Sequence, residues 1–149
     1  MKITRSDFGT TPDGSGISLF HLENTSGAYV EIIDYGCRLT KIVVPDHNGS
    51  LIDVCLGYTT AEHYTKDNGS LGAVCGRVAN RIKDGRFSLN GTDYQLACNN
   101  GSNHLHGGNV GYGSKLWESK IQNDKIVLTM HSSDGEEGYP GNLTLTVTY

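Results

Sequence analysis

The chain has 149 residues, 36% hydrophobic and 19% charged, with a formal net charge of −4. That hydrophobic share excludes wholesale disorder, and no stretch concentrates the lysines and arginines that a nucleic-acid partner would need to displace phosphate counterions. Twenty glycines without a three-residue period exclude collagen and weigh against a helix bundle, whose helices they would weaken.

Residues 1–10 are polar and hold no apolar signal-peptide core, and no run of 18 apolar residues is present to span a membrane. Asp13-Gly14-Ser15-Gly16 lacks a full dinucleotide or phosphate-loop pattern and reads as a hairpin turn. Residues 17–22, 29–34, 39–44 and 51–56 alternate or are β-branched and read as strands. Thr60 begins a weak helical start, with one short turn expected within residues 59–65. Arg86–Leu89, the turn Asn90-Gly91 and residues 92–96 form a hairpin pattern. Strands follow at 117–122, 125–132 and 143–149. Asn-Gly recurs at 48–49, 68–69, 90–91 and 100–101, a pair whose residues both tolerate positive φ. Four of the six N-x-S/T sequons are these turns, so they read as hairpin chemistry rather than glycosylation sites. Many short strands joined by polar turns indicate an all-β antiparallel sandwich or barrel, in one unit over 1–149 with no internal boundary. The last strand stops in full alternation, so its free edge is expected to self-associate or to pair with another strand.

Cys37, Cys55, Cys75 and Cys98 show no C-x-x-C spacing, so neither a zinc knuckle nor a redox pair is indicated. With no leader in the first residues, they read as reduced thiols of a cytoplasmic protein.

Three stretches hold candidate chemistry. In GRVANRI, residues 76–82, Arg77 and Arg81 stand four apart beside Asn80. Either Arg77 and Arg81 tie strands together through carboxylates such as Asp84 or Glu62, or Asn80 and Arg81 present donors to the hydroxyls of a polar ligand. In NHLHGG, residues 103–108, His104 and His106 would share one face of a strand and could be half a metal site. No third ligand follows at a matching spacing, and one structural and one solvated histidine is an equally good reading. Gly107 and Gly108 would admit a ligand or another backbone. In the third, Glu136 and Glu137 would point to opposite faces if extended, and the stretch reads as a rigid turn.

These segments, with GRFSLNG and SSDGEEGYPGNLTLTVTY, and upstream GCRLTKIVVPD and DVCLGY, resemble in order the N-terminal half of the aldose 1-epimerase (galactose mutarotase) family. The resemblance covers essentially the whole chain. It implies a galactose mutarotase-like supersandwich, here a partial sandwich. It also implies interconversion of the α and β anomers of free hexoses, galactose or glucose, by acid–base ring opening without metal or organic cofactor. Asn80, Arg81 and His106 match the family's substrate-binding residues, Arg77 a structural arginine, and His104 a position the motif leaves free. The family's catalytic histidine and glutamate have no match within residues 1–149, so no catalytic residue is assigned in this chain. Two other readings are a non-catalytic carbohydrate-binding sandwich and a metal-binding barrel using His104 and His106.

Overall fold

The computed structural model describes residues 2–67 and 69–149. Five antiparallel strands come first: β1 (Lys2–Thr10), β2 (Gly16–Glu23), β3 (Tyr29–Ile33), β4 (Arg38–Pro45) and β5 (Leu51–Asp53). They lie side by side in chain order. One short acidic or amide side chain ties each of three connecting turns. Asp13 Oδ1 accepts from Ser15 N–H (3.1 Å), Asn24 Oδ1 from Ser26 and Ala28 N–H (2.9 and 3.1 Å), and Asp46 Oδ1 from Asn48 and Ser50 N–H (both 2.8 Å).

Alternation along β2 and β3 sends side chains to two faces. Phe20, Leu22 and Ile32 face one way; Ile17 and Ile33 face the other. The second face is covered by α1 (Ala61–Lys66), whose Ala61 and Tyr64 are buried. Thr60 caps that helix by accepting the His63 N–H. Gly9 fits where β1 passes the helix: at φ +130, a Cβ there would stand 2.8 Å from Ala61 Cβ. The first face meets a second sheet, ordered β10-β11-β12, of β10 (Glu118–Gln122), β11 (Lys125–Ser132) and β12 (Leu143–Thr148). Ile126, Leu128 and Met130 alternate inward from β11 and join Trp117, Phe20, Leu22, Ile32 and Cys37 in one core. Two antiparallel sheets on a shared core make the all-β sandwich that the strand pattern implied. At the edge of that core Asp34 is 5% exposed. Its Oδ1 accepts the Ser18 N–H (2.9 Å), and Arg5 donates to Ser18 Oγ (3.0 and 2.7 Å). Burial raises the Asp34 carboxyl above its ordinary range despite these donors.

Four short strands lie between the sheets in sequence: β6 (Arg81–Ile82), β7 (Arg86–Leu89), β8 (Thr92–Gln95) and β9 (His104–Leu105). β7 pairs with β8 across Asn90-Gly91, both at positive φ (53° and 79°), and β6 pairs with β9.

The structure departs from the sequence expectations in several places. β1 was not expected, because its pattern is polar; it is a mostly exposed edge strand held by its ladder to β2. The strand expected at 51–56 stops at Asp53, whose Oδ1 accepts the Cys55 N–H (3.0 Å) and turns the chain away. The Asn68-Gly69 turn falls on Asn68, outside the described residues. β12 pairs with β11 alone among the described residues, and Tyr149 prolongs that ladder by exchanging bonds with Ile126 (2.9 and 3.0 Å). No described helix is long and apolar enough to cross a membrane.

Candidate functional site

A cleft of about 500 Å³ opens beside the β6–β9 pair, lined among others by Arg38, Ser70, Cys75, Asn100, His106 and Asn109. The pairing sets Arg81 opposite Leu105 and Ile82 opposite His104. Just outside it the chain bends at Asn80 (φ 63°) and His106 (φ 50°). The bend joins those two residues twice: Asn80 O accepts the His106 N–H (3.0 Å), and His106 Nδ1 accepts the Asn80 N–H (2.9 Å). A backbone N–H can only donate, so Nδ1 is unprotonated and the ring proton sits on Nε2. Arg81 Nε donates to Asn100 Oδ1 (2.9 Å) and Nη1 to Asn80 Oδ1 (3.1 Å), which leaves three of its five N–H groups without an acceptor among the described residues. Asn80, Arg81 and His106 are thus brought together as one hydrogen-bonded wall, in which His106 borders the cleft and Asn80 and Arg81 do not.

The glycines after His106 answer to packing. Gly107 lies at φ +89, and a Cβ on it would stand 1.6 Å from Gly76 O. Another backbone, that of GRVANRI, therefore takes the space that the sequence left open to a ligand or a backbone. Asn99 braces the same loop: its Nδ2 donates to Leu105 O (3.0 Å) and Gly108 O (2.8 Å), and its Oδ1 accepts the Leu105 N–H (2.7 Å). From the far side Glu137 accepts the N–H groups of Asn109 (2.9 Å) and Val110 (3.0 Å).

Arg77 is structural, but its partners are not the carboxylates considered from spacing. It donates to Pro140 O (2.9 Å), Ser132 O (3.1 Å), Ser133 O (2.7 Å) and Ser132 Oγ (2.8 Å), and its guanidinium lies 5.8 Å from the Tyr139 ring centre. The turn it grips is the rigid one expected from GEEGYPG, in which Glu136 also bonds Lys115 and Ser132.

The two histidines do not share a face. His106 leaves the strand at positive φ, whereas His104 is 0% exposed. His104 Nδ1 must donate to Ala97 O (2.8 Å), so its Nε2 accepts from Tyr139 Oη (2.7 Å). Burial, with the Glu137 charge adding, pushes the Tyr139 hydroxyl up to about 12, so it remains a donor. His104 is therefore the structural histidine of the pair, and the shared face on which the metal reading depended is not formed. Among the described residues no group of three His, Cys, Asp or Glu side chains is placed to hold a metal ion.

Sequence reading missed Arg38. It is 2% exposed, donates to Gly113 O (3.3 and 3.0 Å) and Leu71 O (3.1 Å), and packs against the Tyr64 and Tyr35 rings. Burial lowers its guanidinium from its ordinary value. It stands at the first position of a strand, where no local pattern distinguishes a buried cation from a solvated one.

The sequence profile of the aldose 1-epimerase family matches residues 18–149. The galactose mutarotase of Sus scrofa is 44% identical over 150 residues, covering 100% of this chain and 44% of its own. The aldose 1-epimerase of Escherichia coli K12 is 39% identical over 139 residues, covering 93% of this chain and 40% of its own. Among solved structures, the galactose 1-epimerase of Lactobacillus acidophilus superposes with a TM-score of 0.85 at 29% identity, over 100% of this chain and 44% of that one. An aldose epimerase homologue from C. elegans gives 0.83 at 33% identity, over 88% and 41%. The chain spans less than half the length of these relatives. With a family profile matched across residues 18–149 and a mutarotase-like sandwich beneath it, the chain belongs to the aldose 1-epimerase family.

Proposed function

We propose that this chain forms part of an aldose 1-epimerase, and that the wall of Asn80, Arg81 and His106 binds the free hexose, galactose or glucose, whose anomers are interconverted. One observation carries the reading: His106 lines the cleft with its ring fixed in the Nε2–H tautomer by Asn80. A fixed donor beside the uncommitted N–H groups of Arg81 suits the closely spaced hydroxyls of a sugar ring. Ring opening needs an acid on the ring oxygen and a base on the anomeric hydroxyl. Following the family resemblance, both come from outside residues 1–149, and neither metal nor organic cofactor is invoked. Four unpaired thiols go with a cytoplasmic setting. The outer edge of β12, unpaired among the described residues, offers a ladder to a further strand of the same or another chain.

Ligand-observed NMR with galactose and glucose tests the wall directly. Arg81→Ala and His106→Ala should each weaken binding about tenfold or more, the loss of one charge-assisted or neutral contact to a hydroxyl. Two silent variants would remove the sugar from this wall. Polarimetry on freshly dissolved α-galactose should show the 149-residue chain no faster than buffer; a saturable rate would place the acid and base within it. A longer protein containing this chain that binds hexose without accelerating mutarotation would establish the non-catalytic alternative.

A further inference from the structure

We infer that Glu137 is a positioning residue of the cleft: its carboxylate is a built-in anion seated on two consecutive backbone N–H groups, and by holding them it fixes the His106 side chain. The inference deepens the sugar-binding reading and rests on it only for the sugar.

The carboxylate meets the loop with both oxygens, Oε2 on Asn109 N–H (2.9 Å) and Oε1 on Val110 N–H (3.0 Å). Successive N–H groups presented this way form an anion-binding concavity, and a bidentate carboxylate is the side chain that fills it. The fit is close: a Cβ on Gly108, at φ +113, would stand 2.0 Å from Oε2. Glu137 itself lies at φ 51°, ψ 20°, a left-handed conformation that disfavours a non-glycine residue. Glycines flank this turn at 135 and 138, yet the strained position holds a side chain that reaches the loop.

Glu137 does not border the cleft, whereas Gly108, Asn109 and His106 do, so it acts through the backbone. On the other side of His106 the loop is tied to Asn80. His106 therefore sits between two anchors. Release of the Glu137 anchor frees Asn109 and Val110 and leaves Gly108 held by Asn99, which loosens the loop beside His106 and with it the bond that selects the Nε2–H tautomer. Glu137 is itself held in place, because Arg77 grips the carbonyls of Ser132, Ser133 and Pro140 on either side of it.

The test uses the Glu137→Ala chain, with galactose binding, amide hydrogen exchange and the ¹⁵N spectrum of the His106 ring as readouts. In this variant Asn109 and Val110 should exchange faster, the His106 ring should pass from one tautomer to a mixture, and galactose affinity should fall about tenfold. Acetate supplies the two carbons and two oxygens removed beyond Cβ. It should restore both the single tautomer and the affinity, whereas chloride at equal ionic strength should not. Glu137→Gln keeps the shape and one acceptor, should give a partial effect, and serves as the variant to read if the alanine chain does not fold. A wild-type His106 spectrum and affinity in the glutamine variant would overturn the proposal, and so would a loss in the alanine variant that acetate leaves unchanged. If the wild-type chain binds no galactose, the sugar reading fails, while the tautomer and its rescue by acetate still decide the role of Glu137.

Discussion

The five-stranded sheet and the cleft segment satisfy their backbones in opposite ways. In β1–β5 the ladder takes up the N–H and C=O groups, leaving side chains free to build two apolar faces. Around the cleft the paired strands are two residues long, and side chains serve the backbone instead. Asn99 bonds three backbone groups, Gln95 Nε2 reaches the carbonyls of Asp84, Gly85 and Leu96, Arg77 holds three carbonyls, and Glu137 holds two N–H groups. A side chain in the sheet is therefore replaceable by another of similar volume. Around the cleft, removing a polar side chain strands the backbone groups it served.

Substitutions in the two regions should separate these behaviours. The largest effect belongs to the sheet: Ile32, 0% exposed in the core, should lose about 2–5 kcal/mol on Ile32→Ala, while Ile32→Val should lose about 0.5–1.5. Urea unfolding would show this as a lowered midpoint with an unchanged slope. His104→Ala should follow at about 2–3 kcal/mol, because it leaves both a cavity and the Tyr139 hydroxyl without its acceptor. Equal stability of the His104→Ala and His106→Ala chains would contradict the separation of the two histidines. Asn99→Ala should cost about 1–2 kcal/mol although the residue is exposed, and an isosteric but apolar Asn99→Leu should not recover it.

The smallest effect has the opposite sign. Burial raises the folded-state value of Asp34, so the fold favours its protonated form. The charged form is a cost at neutral pH that disappears as pH falls through the raised value toward the unfolded one. Asp34→Asn keeps the acceptor for the Ser18 N–H and should raise the melting temperature slightly at neutral pH, with the gain vanishing in acid. A gain that persisted unchanged below the ordinary carboxylate range would trace to something other than this charge.

The same contrast explains what the sequence disclosed. Alternating strands such as 17–22 and 39–44 were legible because one face must be apolar, and Asn90-Gly91 because its geometry needs two residues at positive φ. β1 escaped notice because the polar strand is defined by its ladder rather than by its side chains. Asn80, Arg81 and His106 stood out through family motifs, and their adjacency through the β6–β9 pair is what the structure adds. The partners of Arg77 and the roles of Asn99 and Glu137 were hidden, since a side chain that bonds distant carbonyls or amides leaves no periodic trace. For the same reason His104 and His106, two residues apart, could not be told from a same-face pair until the φ of His106 was known.

The reach of Arg77 also bears on the order in which the molecule is made. Each strand of the first sheet pairs with its sequence neighbour, so that sheet can close once residue 53 is available. Arg77 finds its partners 55 to 63 residues further along, and the amides of Asn109 and Val110 wait for Glu137. Contacts of such separation form late, because the intervening chain must first be drawn in. During synthesis the sheet can therefore stand as a template while the cleft loop remains open, and the loop locks only when the turn at residues 132–140 arrives to grip it.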